Sequence, residues 1–144
     1  MAHLPFSGSI PDDRLYYPDH DMWVQPAGEG EFLIGATSFG IFLAGKIIAF
    51  TSKPNGAQVE RGRGMGTVEC QKTVLAVHAP LSFTLLEGNE TAEERPSLIN
   101  TAPYDAGWMA RVRPTRWVDE KPLLLDAAAY RRHVLAIEPE AIFV

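Results

Sequence analysis

Residues 14 to 113 consist of short runs that favour β-strands, separated by residues that favour turns. Alternating, β-branched or aromatic residues predict seven strands, at 21–25, 32–36, 46–51, 66–69, 73–79, 82–87 and 108–113. The stretches between them contain turn formers such as Pro54-Asn55-Gly56 and Glu87-Gly88-Asn89. Many short strands at nearly regular spacing are typical of an antiparallel sandwich or barrel. We also expect a short helix over Ser38–Ala44, lying on one sheet.

The hydrophobic period becomes helical after Pro114. Apolar residues recur with the spacing of one helix face, at Leu123, Ala127, Tyr130, Val134 and Ile137. This spacing predicts a helix from about residue 122 until Pro139 ends it. We therefore expect a β core at about 14–113 and a C-terminal helical extension at about 115–138, packed across the core.

The composition indicates a single globular domain spanning 1–144. Eighteen Asp and Glu against 13 Lys and Arg give a net charge of −5, which argues against nucleic-acid and anionic-membrane partners. The single Cys70 excludes an internal disulfide, and with four scattered histidines it provides no Cys/His zinc site. No segment is typical of a sorting signal or a membrane span. We expect a cytoplasmic protein without a bound metal.

Signals of catalysis are weak. His20 and His78 could serve as an acid or a base, but no Ser or Cys lies in a nucleophile-elbow pattern such as G-x-S-x-G. His78 lies within a predicted strand, where a structural role is the commoner one. The sequence therefore predicts no catalytic residue.

One lysine occupies an unusual position. The chain has only four lysines, and Lys72 is flanked by the predicted strands 66–69 and 73–79. It is therefore expected at or beside a hairpin tip. An exposed hairpin lysine is ordinarily a solvated charge, so its position alone indicates no function.

The pattern around this lysine resembles the lipoyl-attachment region of the glycine cleavage H-protein family. The residues that carry the resemblance are Gly56-x-x-Val59-x-x-Gly62, Gly66-Thr-Val-Glu69-x-x-Lys72 and Ala79-Pro80. Residues 17–24, with Asp19-His20-Asp21 and Trp23-Val24, resemble the family's Y-x-x-E-H-E-W-V segment with one residue inserted. Residues 96–108 resemble its P-x-L-V-N-x-x-P-Y-x-x-G-W segment. The resemblance covers about residues 14–113.

The resemblance implies a lipoyl-domain-like fold, an antiparallel barrel-sandwich hybrid, and a non-catalytic carrier. Lipoate would be joined by an amide to Lys72, and Glu69 matches the family's recognition residue for a lipoate ligase or lipoyl transferase. Cys70, Gln71 and Thr73 would flank the attachment site on the hairpin. In the family, the arm carries an aminomethyl group between a decarboxylase, an aminomethyltransferase and dihydrolipoamide dehydrogenase.

Two departures from the family pattern are relevant to the cargo and the ligase. A family Ser-Asp pair is replaced by Leu75-Ala76, which offers no carboxylate to a cationic amine. Phe83 replaces a glycine, and a ring at that position is expected to hinder some ligases. Cys70, two residues from Lys72, is a further candidate for thiol–dithiolane exchange, although a buried cysteine is the commoner outcome.

The chain resembles most the lipoate-binding proteins of sulfur-oxidising prokaryotes, a branch of the same family. The shared features are Ala44-Gly45-Lys46-Ile47, Val59-x-x-Gly62-Arg63 and 108–114 before a long C-terminal helix. This branch implies a heterodisulfide-reductase-like partner complex and sulfur-containing cargo. Glycine cleavage is the alternative, and an unlipoylated interaction module is an alternative of another class. Biotin carriage is disfavoured because Gln71 and Thr73, rather than Met, flank the lysine.

Overall fold

The computed structural model describes residues 4–144, so residues 1–3 of the expected domain lie outside it. Eleven strands lie within this part of the chain: β1 Ser7–Gly8, β2 Leu15–Tyr17, β3 Met22–Gly28, β4 Glu31–Ala36, β5 Ile47–Ser52, β6 Gln58–Val59, β7 Gly64–Cys70, β8 Thr73–His78, β9 Phe83–Gly88, β10 Ala110–Pro114 and β11 Ile142–Phe143. The helices are α1 Ser38–Ala44, α2 Glu90–Glu94, α3 Ser97–Thr101, α4 Trp117–Glu120 and α5 Ala127–Ile137, with a 3-10 turn at Lys121–Leu123.

Two antiparallel sheets make up most of the molecule. Six strands pair in the order β2-β3-β4-β10-β9-β6, and three pair in the order β5-β7-β8. The two short terminal strands, β1 and β11, pair in parallel. The mainly β, antiparallel fold expected from the sequence is confirmed, with sheets that do not close into a barrel. The sequence pattern missed β1, β2, β6 and β11, which have two or three residues each.

The space between the two larger sheets holds the main core. Ile34, Phe83 and Val112 of the six-stranded sheet pack there with Phe50 and Val68 of the three-stranded sheet. The three-stranded sheet is thus supported from its inner face. This packing holds the β7–β8 hairpin on a fixed base.

A second core lies where α5 packs on β2 and β3. The rings of Tyr16 and Tyr130 stack with centroids 4.7 Å apart, and Trp23 and Val134 are fully buried beside them. Trp23 Nε1 donates a hydrogen bond to the carbonyl oxygen of Pro103 (3.0 Å). The expected packing of the C-terminal helix across the β core is confirmed.

The C-terminal helix begins later than the periodicity predicts. It starts at Ala127, not near residue 122, because Leu125 is extended and exchanges two backbone hydrogen bonds with Tyr16 (2.8 Å each). Asp126 then caps the helix by accepting from the amide of Ala129 (2.8 Å). Leu123 and Ile137, predicted on the buried face, are about half exposed.

The short helix α1 has the predicted bounds. Thr37 caps its first turn by accepting from the amide of Gly40 (3.0 Å), and Gly45 ends it with φ of 82°. Its Phe39 is fully buried in the second core. The amide of Thr37 donates to the carbonyl oxygen of Asp21 (2.9 Å), which holds the start of the helix beside the loop that joins β2 to β3.

Candidate functional site

The β7–β8 hairpin has the tightest possible connection at its tip. Cys70 pairs with Thr73, which leaves only Gln71 and Lys72 between the strands. Neither turn residue has a positive φ, so the tip uses a turn that Gln and Lys can adopt without a glycine. Gly66, lower on β7, is required by packing, because a Cβ there would lie 2.5 Å from the carbonyl oxygen of Thr51 on β5.

Lys72 lies at this tip, as the sequence predicts, and its side chain is exposed. Within residues 4–144 its ammonium group has no hydrogen-bond or ion-pair partner. Gln71 and Thr73 are exposed on either side of it. A primary amine on a rigid turn, free of partners, is accessible to an enzyme that would acylate it.

The two remaining predicted residues point to opposite faces of the hairpin. Glu69 is exposed on the outer face, directly across from Val74. Cys70 lies on the inner face, 5% exposed in the main core, and burial raises the pKa of its thiol. A buried, protonated thiol is a poor nucleophile, so the geometry gives no support to thiol–dithiolane exchange at Cys70.

A groove of about 340 Å³ runs along the inner face of the hairpin, and we call it the hairpin groove. One wall is residues 75–78 of β8 with Val68 of β7, and residues 19–22 form another. The rest of the lining includes four residues of α1: Gly40, Ile41, Leu43 and Ala44. At about 3.3 Å per residue, Leu75 lies only ~10 Å along the strand from Lys72. The groove is therefore within the reach of a long arm on that lysine.

The hairpin groove contains two carboxylates that the sequence analysis did not assign to the site. Asp19 and Asp21 line it from the β2–β3 loop, while Leu75 and Ala76 line the opposite wall. The Leu75-Ala76 pair itself offers no carboxylate, but the groove gains two from a different segment of the chain. In the sequence these residues belong only to a family segment, and nothing local shows that residues 19–21 meet residues 75–78.

Asp21 is held in place by a buried chain of hydrogen bonds. The hydroxyl of Tyr130 donates to Asp21 Oδ1 (2.7 Å), and Thr37 Oγ1, itself accepting from Gly40, lies 2.7 Å from the same hydroxyl. Since the single Tyr130 proton goes to Asp21, Thr37 is the donor to Tyr130. Burial raises the pKa of Asp21 above its ordinary value, although Tyr130 and His133 oppose the shift.

Two histidines stack at the edge of the hairpin groove. The rings of His20 and His78 are parallel within 9°, with centroids 3.7 Å apart, and both line the groove. His78 Nδ1 donates to the carbonyl oxygen of Gly62 (2.9 Å), which fixes the tautomer and leaves Nε2 as an acceptor. Desolvation, followed by the nearby His78, lowers the pKa of His20.

Phe83 does not reach the surface. Its side chain is 0% exposed in the main core. In the sheet, Phe83 lies between its two cross-strand partners, Val59 of β6 and Pro114 of β10. The expectation that the ring confronts a ligase therefore fails, because no atom of the ring is presented to a partner.

Residues 4–144 contain no group of three or more His, Cys, Asp or Glu side chains arranged to hold a metal ion. No helix in this same range is long and apolar enough to cross a membrane.

A partner-free lysine on a rigid hairpin, beside a groove that an arm on it could enter, defines a carrier domain. The family model of the glycine cleavage H-protein matches residues 15–136. The chain belongs to the glycine cleavage H-protein family. Members of this family are non-catalytic carriers within a multienzyme system, and their cofactor is lipoate joined covalently to a lysine.

Individual relatives agree with this assignment. The chain is 37% identical over 121 residues to glycine cleavage system H protein 5 of Aquifex aeolicus, covering 82% of each chain. It is 38% identical over 116 residues to the glycine cleavage system H protein of Listeria monocytogenes, covering 81% of this chain and 91% of that one. The crystal structure of a glycine cleavage system H protein from Mycobacterium marinum matches with a TM-score of 0.74 at 34% identity. The match covers 85% of this chain and 97% of that chain.

Proposed function

We propose that Lys72 carries the lipoyl group and that the chain serves a glycine cleavage system. The observation that carries this proposal is the unpartnered Lys72 at the hairpin tip, next to a groove with two carboxylates. When bound, lipoate supplies a dithiolane that can be reduced to a dithiol, and a thiol of that dithiol can carry a cargo. The chain's own residues present the amine, keep its anchor fixed and provide a surface to which the arm can return.

The electrostatics of the hairpin groove suit a cationic cargo. Asp19 is exposed and Asp21 is partly buried, with its second carboxylate oxygen not engaged by Tyr130. An amine-bearing group would exchange its hydration for charge-assisted hydrogen bonds to these oxygens. The proposed partners are therefore a glycine decarboxylase, an aminomethyltransferase and dihydrolipoamide dehydrogenase, together with a lipoate ligase or lipoyl transferase.

Reconstitution tests this role. The lipoylated chain, mixed with a glycine decarboxylase, is expected to support exchange of labelled bicarbonate into glycine. The same chain without lipoate should give only the background of the decarboxylase alone. If the lipoylated chain also gives only that background, while a Listeria monocytogenes H protein is active in parallel, the glycine cleavage role is rejected.

Glu69→Gln is expected to slow lipoylation about tenfold, equivalent to ~1.4 kcal/mol, without changing thermal stability. Glu69 is exposed on the hairpin, three residues before the target amine, so its charge is available to a modifying enzyme. The measurement is the initial rate of lipoyl addition by intact mass. Glu60→Gln is the matched control, because Glu60 is also exposed but lies outside the hairpin. Equal lipoylation rates for both variants would show that the charge of Glu69 is not recognised by the modifying enzyme.

Asp21→Asn is expected to raise the melting temperature at neutral pH. The folded state raises the pKa of Asp21, so its ionisation costs stability as pH rises through that pKa. Asparagine avoids this cost, can still accept from Tyr130, and tolerates the positive φ of 56° at this position. The stability gain should shrink as pH falls through the raised pKa of Asp21, because the folded state then holds this side chain protonated and uncharged. Scanning calorimetry across this pH range provides the measurement.

The exposed Asp19 supplies the control for this effect. Asp19→Asn is expected to change the melting temperature at neutral pH much less than Asp21→Asn does, because its side chain is exposed to water. A lower melting temperature of Asp21→Asn at neutral pH would show that the charged hydrogen bond to Tyr130 outweighs the cost of burial.

Sulfur-containing cargo is a second candidate function, favoured by the apolar Leu75 and Ala76 on the groove wall. It would pair the chain with a heterodisulfide-reductase-like complex. The relatives reported above are all glycine cleavage H proteins, so they give this role no support. Loading of the lipoyl dithiol by such a complex, together with failure of the glycine exchange, would favour it. An unlipoylated interaction module would be favoured only if Lys72 stays unmodified in the native host.

A further inference from the structure

A second and larger cleft lies at the opposite end of β7 from Lys72. It has a volume of about 820 Å³, and its lining includes β6, the turn that follows β6, and the segment that leads from β10 into α4. We call it the basic cleft, because four cations line it: Lys53, Arg61, Arg63 and Arg116. Gly64, the first residue of β7, also lines it, so at ~3.3 Å per residue the cleft lies roughly 20 Å along the strand from Cys70 at the hairpin tip.

The positive charge of the basic cleft is only partly compensated. Its four cations accompany two carboxylates, Glu60 and Glu120, although the chain as a whole has a net charge of −5. Glu120 is buried, and its two oxygens accept from the amide and the hydroxyl of Ser82 (2.6 and 2.7 Å). Within residues 4–144, Arg116 alone among the four cations has an ion-pair partner, the exposed Asp119 at 3.6 Å. The cleft is therefore a positively charged region on an acidic chain.

Arg61 is the most constrained of these cations. Its amide donates to Ser82 Oγ (3.0 Å), and its guanidinium carbon lies 4.9 Å from the ring centroid of Tyr17. Its Nε is buried and has no hydrogen-bond partner in the described chain. A buried donor of a charged group that lacks an acceptor costs free energy. An anion that enters the cleft beside this guanidinium would offset part of that cost.

The donors that the basic cleft offers are side chains. The backbone amides of Arg61, Gly62, Arg63 and Thr115 already donate to groups within the chain (2.8–3.0 Å). Phosphate sites commonly use free backbone amides, and nucleobases need an aromatic ring to stack on, but none of the described residues that line the cleft is aromatic. Guanidinium groups bind carboxylates as planar forks, and the volume exceeds what one small ion fills. The chemistry favours the carboxylates of a peptide.

We propose that the basic cleft binds an acidic segment of a partner protein, whose Glu and Asp side chains pair with Lys53, Arg61, Arg63 and Arg116. The inference goes beyond the carrier role and does not depend on it, because the chain's own residues form the cleft at the far end of β7 from Lys72. A partner enzyme held at the cleft would keep the anchor of the arm nearby. Such tethering raises the effective concentration of the arm at the partner's active site.

Titration of the unmodified chain with a defined peptide tests the basic cleft. The probes are a soluble peptide of alternating glutamate and glycine, the matching peptide of glutamine and glycine, and inorganic phosphate. Backbone amide and arginine Nε signals are followed by nitrogen-15 NMR. The glutamate peptide is expected to shift the signals of Arg61, Arg63 and Thr115 and to leave that of Lys72 in place, and the glutamine peptide should shift none. The shifts should weaken as salt rises from ~50 to ~200 mM, since the cations are mostly exposed to water.

Paired substitutions separate the basic cleft from total charge. The double variant Lys53→Gln with Arg63→Gln is expected to weaken binding of the glutamate peptide about fivefold or more. Lys46→Gln with Arg132→Gln removes the same charge from exposed positions outside the cleft, and its affinity should stay close to that of the unaltered chain. Both double variants should keep the melting temperature, because all four side chains are exposed.

Glu60→Gln is expected to strengthen binding about twofold, because it removes a carboxylate that repels the peptide from the cleft lining. A gain in affinity cannot come from misfolding. Glu29→Gln, at an exposed position outside the cleft, is the matched control and should change the affinity less.

Three results would overturn this inference. Equal weakening by both double variants would show that the peptide responds to total charge alone. Shifts centred on Lys72 would place the peptide at the hairpin tip. Shifts of the cleft signals by phosphate, with none from the glutamate peptide, would assign the cleft to a phosphate ion. None of these results bears on lipoylation of Lys72, which intact mass measures separately.

Discussion

Lys72→Arg is expected to abolish lipoylation completely and, with it, all carrier activity. A guanidinium retains the positive charge but cannot form the amide, because arginine stays protonated in proteins. The free energy of unfolding should change by less than ~0.5 kcal/mol, since the side chain is exposed and without a partner in the described chain. Intact mass after incubation with lipoate and a ligase measures the loss, and urea denaturation measures the stability.

Lysine substitutions elsewhere provide the controls. Lys46→Arg and Lys53→Arg alter the chain outside the hairpin tip, and both variants should gain one lipoyl group as the unaltered protein does. Retention of the added mass in Lys72→Arg would place the attachment at another lysine. Loss of the added mass in either control would show that lipoylation depends on more than the hairpin.

Phe83→Ala is expected to lower the free energy of unfolding by about 3–5 kcal/mol. The ring is 0% exposed between the two sheets, so its removal loses apolar burial and leaves a cavity. Domains of this size are commonly stable by only ~5–15 kcal/mol, so the loss is a large share of the total. Urea denaturation provides the measurement, and Val74→Ala, at an exposed position on the hairpin, should cost less than ~0.5 kcal/mol.

The same variant separates packing from ligase recognition. If Phe83 acts only through packing, the folded fraction of Phe83→Ala should accept lipoate at the rate of the unaltered protein. A stability loss below about 1 kcal/mol would contradict the packing role of the ring. A several-fold faster lipoylation of the folded variant would show that the ring hinders the ligase.

Local signals predicted the hairpin and α1 well. Thr73, Val74 and Val77 favour a strand. The predicted strands 66–69 and 73–79 leave three residues for the turn, and the structure shortens it to two because Cys70 pairs with Thr73. The helix α1 is bounded by a capping Thr37 and a Gly45 with positive φ, both of which are readable in the sequence. These elements depend on residues close together in the chain, and so the pattern locates them.

The C-terminal helix shows where periodicity fails. Leu123 continues the apolar spacing of Ala127 and Tyr130, but the chain between them is drawn into an extended bridge with Tyr16, more than 100 residues away. Asp126 is a good helix cap, and this capping signal indicates the correct start of the helix at Ala127, whereas the hydrophobic period does not. Tertiary pairing, together with a local cap, outweighs the hydrophobic period here.

The hairpin groove could not be predicted from the sequence. Its acidic wall lies at residues 19–21 and its apolar wall at residues 75–78, and no periodicity shows that the two meet. The spacing along the chain therefore does not place Asp19 and Asp21 beside the Leu75-Ala76 pair, whereas the fold does. The orientation of Asp21 depends further on Tyr130 of α5, a contact that only the folded chain reveals.

Peptide mapping of the chain isolated from its native host tests the central claim most directly. Trypsin does not cleave after an acylated lysine, so a lipoylated Lys72 should appear inside one uncut peptide beginning at Gly64, with the added mass of one lipoyl group on that residue. Cleavage after Lys72, giving an unmodified peptide from 64 to 72 in cells that lipoylate their other carrier proteins, would contradict the account.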